Sequence, residues 1–310
     1  MVSSSQFLDQ RILVTGASGF IGFHLCRRLC SLGAEVHGTS RTISSGNADG
    51  IHWWQGNLAD TDMVRKLLTS VKPDMIFHLA SYVTGTRDLH AVIPMFQSNL
   101  ASTVNLLTIA SEVGCRRLLL AGSLEEPELG DLQAVPCSPY AAAKWAASAF
   151  ARMFHALYSL PVVIMRVFMV YGPAQRDVQK LIPYVTLSLL RGEAPRLSSG
   201  NREVDWIYVE DVVDGFLAAA QAADVEGQTI DIGSGTMMPV RAVVEHLVQL
   251  INPQIEPLFN ALPDRPFEQV RVADTTKSHA MIGWRPSTTL EEGLRRTVSW
   301  YEGRLRAGTL

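Results

Sequence analysis

The segment Thr15-Gly16-Ala17-Ser18-Gly19-Phe20-Ile21-Gly22 constrains this chain more than any other. It follows Arg11 to Thr15 (RILVT), which reads as a strand, and opens a helical pattern from Phe20 to Leu32. Glycines spaced TGxxGxxG on a strand-to-helix turn meet the context required of a dinucleotide-binding fingerprint. Gly16 permits the tight turn, Gly19 lets backbone N–H groups approach a pyrophosphate, and Gly22 lets the helix pack closely on the sheet. The helix N-terminus then offers partial positive charge to the phosphates. A glycine turn of purely structural purpose is the competing explanation, and the strand and helix on either side argue against it.

The first half continues the alternation of short strands and longer helices that parallel βαβ units produce. Strands are expected at Glu35 to Ser40, Ile51 to Gln55, Asp74 to Leu79, Arg117 to Ala121 and Val162 to Val167. Helices are expected at Asp60 to Ser70, Phe96 to Val113 and Ser138 to Leu157. Beyond Gly172 the pattern loosens into helices at Leu181 to Arg191, Glu210 to Ala222, Val240 to Leu250 and Leu290 to Gly303, with short strands at Asp205 to Tyr208 and Gln228 to Asp231. Turns fall at Gly172-Pro173, Gly192, Pro195, Gly200, Pro263, Pro266 and Pro286. The fold class expected is α/β: a Rossmann-type doubly wound parallel sheet over 1–172 and a smaller α/β substrate-binding lobe over 173–310. The strand near Thr229 is free to return to the main sheet.

At 310 residues the chain exceeds a single small module, and 47% apolar with 18% charged content indicates a core-rich globular protein. Its 27 Lys+Arg against 30 Asp+Glu give no basic field for a phosphate backbone, which argues against nucleic acid as the main partner. The N-terminus MVSSSQFLDQ lacks the cationic start of a secretory signal. Arg166 interrupts the best apolar run, Val162 to Val170, well short of the ~18 residues a membrane span needs. A cytoplasmic protein without membrane association is expected. Cys26, Cys30, Cys115 and Cys137 show no paired zinc spacing and read as buried, reduced thiols, with no metal.

The residue closing the second strand selects the cofactor. A carboxylate there would accept from the ribose 2′-OH of NAD and repel a 2′-phosphate. Here the strand runs Val36-His37-Gly38-Thr39 into Ser40-Arg41. Arg41 can pair bidentately with a 2′-phosphate and Ser40 can add a hydroxyl donor, so NADP(H) is expected over NAD(H). Otherwise Arg41 is a solvated loop cation.

Tyr140-Ala141-Ala142-Ala143-Lys144 places a phenol and an ammonium four residues apart on one face of a helix that Ser138-Pro139 starts. A phenol of pKa ~10 needs a shift of about 3 units, or about 4 kcal/mol, to work at neutral pH. An ammonium at about 4 Å, in a medium of effective dielectric ~20, supplies a Coulomb term of that size; desolvation of the phenolate opposes it, so the positive nicotinamide ring is expected to contribute too. The Tyr-Lys spacing alone does not carry the argument. Ser123, just after the strand RLLLAG, strengthens it, since a hydroxyl there can bond a substrate oxygen beside Tyr140. Tyr140 is then the general acid or base, Lys144 lowers its pKa and holds the nicotinamide ribose, and Ser123 orients the carbonyl.

TGASGFIG, HLAS (His78 to Ser81), NLASTVNLL (Asn99 to Leu107), SPYAAAK, RVFMVYGP (Arg166 to Pro173), VDWIYVEDVVDG (Val204 to Gly215) and the terminal LPDRP, AD and IGWRP together resemble the extended short-chain dehydrogenase/reductases. Within these the resemblance is to the nucleotide-sugar epimerases, dehydratases and 4-ketoreductases, and it covers nearly the whole chain. It implies a cofactor site lined by Gly16, Gly19, Phe20, Ile21, Arg41, Leu58, Leu79 and Ala80, completed by Ser18, Gly22, Ser40, Ser81, Tyr140 and Lys144. Asn57 stands where the family often has an aspartate against adenine. At the substrate end the resemblance implies a nucleotide diphosphate gripped by Arg265, with Arg202 standing in for a second arginine and Leu181 nearby. Met169 and Val204 stand where epimerases commonly carry Asn and Arg, which leaves another polyol or ketone as a second substrate class.

The run Ser123-Leu124-Glu125-Glu126-Pro127 bears on the reaction. The family's 4,6-dehydratases typically carry Asp-Glu or Ser-Glu after the Ser or Thr; Glu125 matches the base, but Leu124 cannot donate a proton. Glu125-Glu126 also resembles the Ser-x-Glu-Glu run of NADPH-dependent reductases of 4-keto-6-deoxy nucleotide sugars, or else is a solvated acidic loop continued by Glu128 and Asp131. A 4-epimerase needs neither carboxylate. The expected function is NADP(H)-dependent hydride transfer at C4 of a nucleotide-activated hexose. Reduction of a 4-keto(-6-deoxy) sugar ranks first, NAD(P)-retaining 4-epimerisation second and 4,6-dehydration third. A regulatory NADPH-binding protein is the non-enzyme alternative, against which the retained Ser123, Tyr140 and Lys144 argue. Helices Phe96 to Val113 and Ala142 to Leu157 are apolar and Ala-rich; the matching pair builds a dimer interface in family members, so a homodimer is expected.

Overall fold

The computed structural model describes residues 7–42, 50–127 and 133–310; Glu128 and Asp131 lie outside them. The strands in chain order are β1 (Arg11–Thr15), β2 (Glu35–Ser40), β3 (Ile51–Gln55), β4 (Met75–His78), β5 (Arg117–Ser123), β6 (Val162–Val167), β7 (Met169–Tyr171), β8 (Glu203–Tyr208), β9 (Thr229–Ile232) and β10 (Met237–Pro239). Seven of them form one sheet in the order β3-β2-β1-β4-β5-β6-β9. Every pairing in it is parallel. The central strands β4 and β5 are buried along their whole length, as strands covered on both faces must be.

The helices are α1 (Phe20–Ser31), α2 (Thr61–Val71), α3 (Val92–Met95), α4 (Ser102–Val113), α5 (Pro139–Tyr158), α6 (Leu181–Leu190), α7 (Val209–Gln221), α8 (Val240–Ile251), α9 (Thr275–Ile282) and α10 (Leu290–Arg306). Asp60 caps α2 through its carboxylate, and Ser138 caps α5 through its hydroxyl, with Pro139 in the first turn. One face of the sheet packs Leu13, Ile76 and Leu118 against Leu67, Leu107 and Phe154 of α2, α4 and α5. The other packs Val14, Phe77 and Leu119 against Leu25 of α1 and Phe216 of α7. A third core, around Tyr171, Trp206, Leu247 and Leu294, fills the lobe made of the small sheet β10-β8-β7 and helices α6, α8 and α10.

The two layers interleave along the chain. Both β9 and α7 come after Gly172, yet β9 pairs with β6 in the main sheet and α7 packs on β5 and β6. A cut at residue 172 therefore does not separate the lobes. The helix expected from Phe96 begins at Val92 and reaches α4 through a π-helical stretch, Phe96–Ala101, with Pro94 accommodated in the first turn. That stretch turns Asn99 inward, where its side chain accepts from Ser81 Oγ and Tyr82 N and donates to Tyr82 O. No disulfide joins the cysteines; Cys26 and Cys137 are buried, whereas Cys30 and Cys115 are half-buried rather than buried as expected. Among the described residues no helix is long and apolar enough to cross a membrane, and no group of three or more His, Cys, Asp or Glu is arranged to hold a metal.

Candidate active site

The glycine turn crosses the edge of the sheet where β1 ends. Gly16 adopts φ +68°, and a Cβ there would lie 2.7 Å from Ala80 N. At Gly22 a Cβ would lie 2.2 Å from Gly16 O, so α1 meets the turn only because position 22 has no side chain. Gly19, the N-cap, supplies no side-chain hydrogen bond, which leaves the N–H groups of Phe20, Ile21 and Gly22 without helical acceptors. This cradle fits a pyrophosphate both in its donors and in its lack of side-chain bulk. Behind it Thr15 Oγ1 bonds His78 Nδ1 at 2.7 Å and accepts from Ala80 N at 3.2 Å, while His78 Nε2 bonds Thr103 Oγ1 at 2.9 Å. Burial, with Lys144 adding to it, holds His78 down to about 3, so the imidazole is neutral.

At the end of β2, Ser40 Oγ lies 2.9 Å from Ser18 Oγ, and the Arg41 side chain is exposed. Leu58 is buried, whereas Leu79, Ala80 and Ser81 line the edge beyond β4 half-buried. Asn57 is exposed, with Oδ1 accepting from Ala59 N at 3.1 Å in a local turn.

Ser123, at the end of β5, accepts from Glu125 N at its Oγ at 3.2 Å and stands beside the phenol of Tyr140, which sits one helical turn before Lys144 on α5. Lys144 is buried; its Nζ donates to Ala121 O at 2.8 Å and stands 6.0 Å from the centre of the Tyr140 ring. Burial pushes Tyr140 up to about 12; the Ser123 hydroxyl opposes it, and the charges of Glu126 and Glu125 reinforce it. Burial pushes Lys144 down to about 8, against the pull of Glu126. Desolvation, expected to oppose the pull of Lys144 on the phenol, is here the largest influence on Tyr140. The ammonium is committed to a carbonyl of β5, and two carboxylates face the phenol.

Neither glutamate is a solvated loop residue. Glu125 Oε1 pairs with Arg202 Nη2 at 2.7 Å, and Oε2 accepts from Cys137 Sγ at 3.2 Å. Arg202 also reaches Glu268 Oε2 at 3.3 Å and the Gln269 carbonyl at 2.8 Å. These bonds engage the guanidinium with two carboxylates and a carbonyl. Glu126 is buried and accepts from Ser123 N at 2.7 Å, while Leu124 is buried beside it.

Arg265 is 61% exposed, with Nη1 where a Cβ on Gly85 would come within 2.5 Å of it. The pattern-based reading missed Lys180, the N-cap of α6, whose Nζ donates to Val83 O at 3.1 Å. Burial lowers its pKa, opposed by Asp177 and reinforced by Arg265, so two cations converge on one loop. Leu181 follows at the start of α6, half-buried, with its N–H at the helix end. Arg87, also missed, ties the same loop to the Cys137 and Pro266 carbonyls. No local spacing marks Lys180 or Arg87, because their partners are carbonyls distant in sequence.

A nucleotide cradle on the first βα turn, with a tyrosine and a lysine on the helix beyond β5, is the arrangement of the pyridine-nucleotide-dependent extended short-chain dehydrogenase/reductases. Within that class the chain belongs to the NAD dependent epimerase/dehydratase family, whose model matches residues 12–233. It is 30% identical to a UDP-glucose 4-epimerase of Mycolicibacterium smegmatis, over 95% of this chain and 99% of that one. It is 28% identical to a dTDP-glucose 4,6-dehydratase of Haemophilus influenzae, over 94% and 97%. The UDP-glucose 4-epimerase of Thermotoga maritima, solved with UDP-glucose, superposes with a TM-score of 0.85 at 25% identity over 95% of this chain and 99% of that one. That of Thermus thermophilus, solved with NAD, gives 0.83 at 26% over 94% and 99%.

Proposed function

We propose that the protein transfers hydride at C4 of a nucleotide-activated hexose with NADP(H), acting as the reductase of a 4-keto(-6-deoxy) nucleotide sugar. The observation that carries this reading is the Glu125–Arg202 pair at 2.7 Å. A dehydratase needs an acid and a base in the two positions after Ser123; here Leu124 has no proton to give and Glu125 is committed to Arg202. Ser123, Tyr140 and Lys144 remain as the proton-handling groups. NADP(H) rather than NAD(H) is supported by β2, which ends on Ser40 with Arg41 following and no carboxylate at either position.

The bound cofactor supplies the hydride. Ser123 donates to the C4 carbonyl oxygen and polarises it. Tyr140, held protonated by its surroundings, donates its proton to the alkoxide as it forms, and the Lys144 ammonium behind it stabilises the resulting phenolate. Arg265 and Lys180 are suited to the diphosphate. Four-epimerisation is the second reading, supported by the likeness to the UDP-glucose 4-epimerases.

The test is to purify the protein, release any bound cofactor, and supply NADPH with a 4-keto-6-deoxy nucleotide sugar. Stoichiometric NADPH oxidation is expected. NAD(P)+ retained through purification, with inversion at C4 and no net cofactor use, would replace the reductase by the epimerase. Tyr140→Phe is expected to lose about 10²–10⁴-fold in kcat. Arg41→Ala should raise KM for NADPH by roughly 10-fold or more and leave that for NADH in place; equal KM values in the unaltered protein would remove the NADPH preference.

A further inference from the structure

Glu126 takes no part in the chemistry proposed above, yet its carboxylate is buried beneath the site, 4% exposed. A buried carboxylate is costly unless cations and donors compensate it. Its Oε1 accepts from Ser123 N at 2.7 Å, and a Cβ on Gly122 would lie 2.8 Å from the same oxygen. The carboxylate thus rests against the backbone of Gly122, in room that exists because that residue has no side chain. Lys144 Nζ bonds the carbonyl of Ala121 at 2.8 Å. Consecutive residues Ala121, Gly122 and Ser123 of β5 therefore receive the ammonium, seat the carboxylate and present the hydroxyl.

The charged and polar groups that face Glu126 come from every element packed around it. Tyr140, Lys144, Ser148 and Arg152 belong to α5. Arg166 belongs to β6 and pairs with Asp231 of β9 at 3.1 Å. Arg271 Nη1 donates to the Glu126 carbonyl at 3.1 Å. Burial raises the pKa of Glu126, with Ser148, the Ser123 amide, Lys144 and Arg166 acting against it. For Lys144, burial works to discharge the ammonium, and Glu126 is the charge that opposes this.

We propose that Glu126 is a positioning residue of the hydride-transfer site: seated over Gly122 and bonded to the Ser123 amide, beside the Ala121 carbonyl that takes the Lys144 ammonium, its carboxylate holds Lys144 behind Tyr140 and fixes the Ser123 hydroxyl at the strand end. The assignment rests on Tyr140 and Lys144 being the proton-handling pair.

Glu126→Gln keeps an oxygen to accept from Ser123 N and removes the charge. Its effect is read first in the cofactor-free protein, by NMR of isotope-labelled lysine; Lys66, Lys72, Lys180 and Lys277 are the other lysines of the sequence and serve as internal references. The Lys144 titration midpoint is expected to fall by about one to two pH units on losing a unit charge at close range, with the references unmoved. In turnover with NADPH the alkaline limb of kcat should move the same way, with KM for NADPH unchanged. Glu126→Asp, which keeps the charge, should leave the Lys144 midpoint near its original value, and it decides the matter if the glutamine variant does not fold. A Lys144 midpoint unmoved in Glu126→Gln, or displaced equally in Glu126→Asp, overturns the proposal. If the unaltered protein fails to reduce any 4-keto nucleotide sugar, the functional reading falls, while the NMR result still decides the role of Glu126.

Discussion

Lys144 is held as a buried cation at a cost that depends on pH. Its pKa is lowered from 10.5 to about 8, so the unfolded chain binds the proton more tightly than the folded one. The folded state therefore carries the full penalty below pH 8 and is relieved of it as pH rises toward 10.5. A shift of that size corresponds to about 3 kcal/mol. Relative to Lys144→Met, the unaltered protein is expected to gain stability by about that amount between those two pH values, read as the difference in urea unfolding free energy. A difference flat with pH would contradict the buried charge. At this scale the sequence made Ser123, Tyr140 and Lys144 legible, since one helical turn and one strand end bring them together. Glu125 and Glu126 were singled out by resemblance, but their partners were not legible, because those partners lie far off in sequence or in the backbone. Arg202 is distant in sequence from Glu125, and Gly122 makes room for Glu126 without any visible pattern.

Among the elements, those with a full hydrophobic period stand where the sequence put them: β1, β2, β3 and β6 match residue for residue. The short strands β7 and β10 and the polar-fronted helix α9 went unseen, since three residues show no alternation and α9 depends on the Asp274 cap. What holds these pieces is buried carboxylates that accept backbone N–H groups. Asp205 of β8 accepts from Ser234 N, Ser234 Oγ, Gly235 N and Ala273 N at 2.6–3.0 Å. Asp211 of α7 does the same for Ser287 and Thr288. Asp205→Ala orphans several donors at once, and a loss of at least about 3 kcal/mol is expected in chemical denaturation, well above a surface substitution. A change below about 1 kcal/mol would show that water replaces the carboxylate there.

At the scale of the molecule, one of several exposed apolar areas among the described residues lies along α3 and α5. Ile93 and Phe96 are 61% and 50% exposed, and Phe150 and Leu157 on the neighbouring α5 are 38% and 67% exposed. We propose that two copies of the chain meet across this face, as the family resemblance implies. Phe150→Glu is then expected to halve the mass found by light scattering while leaving the far-UV spectrum unchanged, and a monomeric mass for the unaltered protein at micromolar concentration would remove the proposal. The return of β9 to the main sheet has a consequence for any shortened form of this protein. Stopped after Gly172, the chain would lack the strand that covers β6, and Val162–Val167, buried for most of its length, would become an open sheet edge. Such an edge is a template for pairing with other chains. With β9 in place the six-residue edge of β6 is replaced by one of four residues, a shorter template for mispairing, and this needs only the part of the smaller lobe that precedes β9 in the chain.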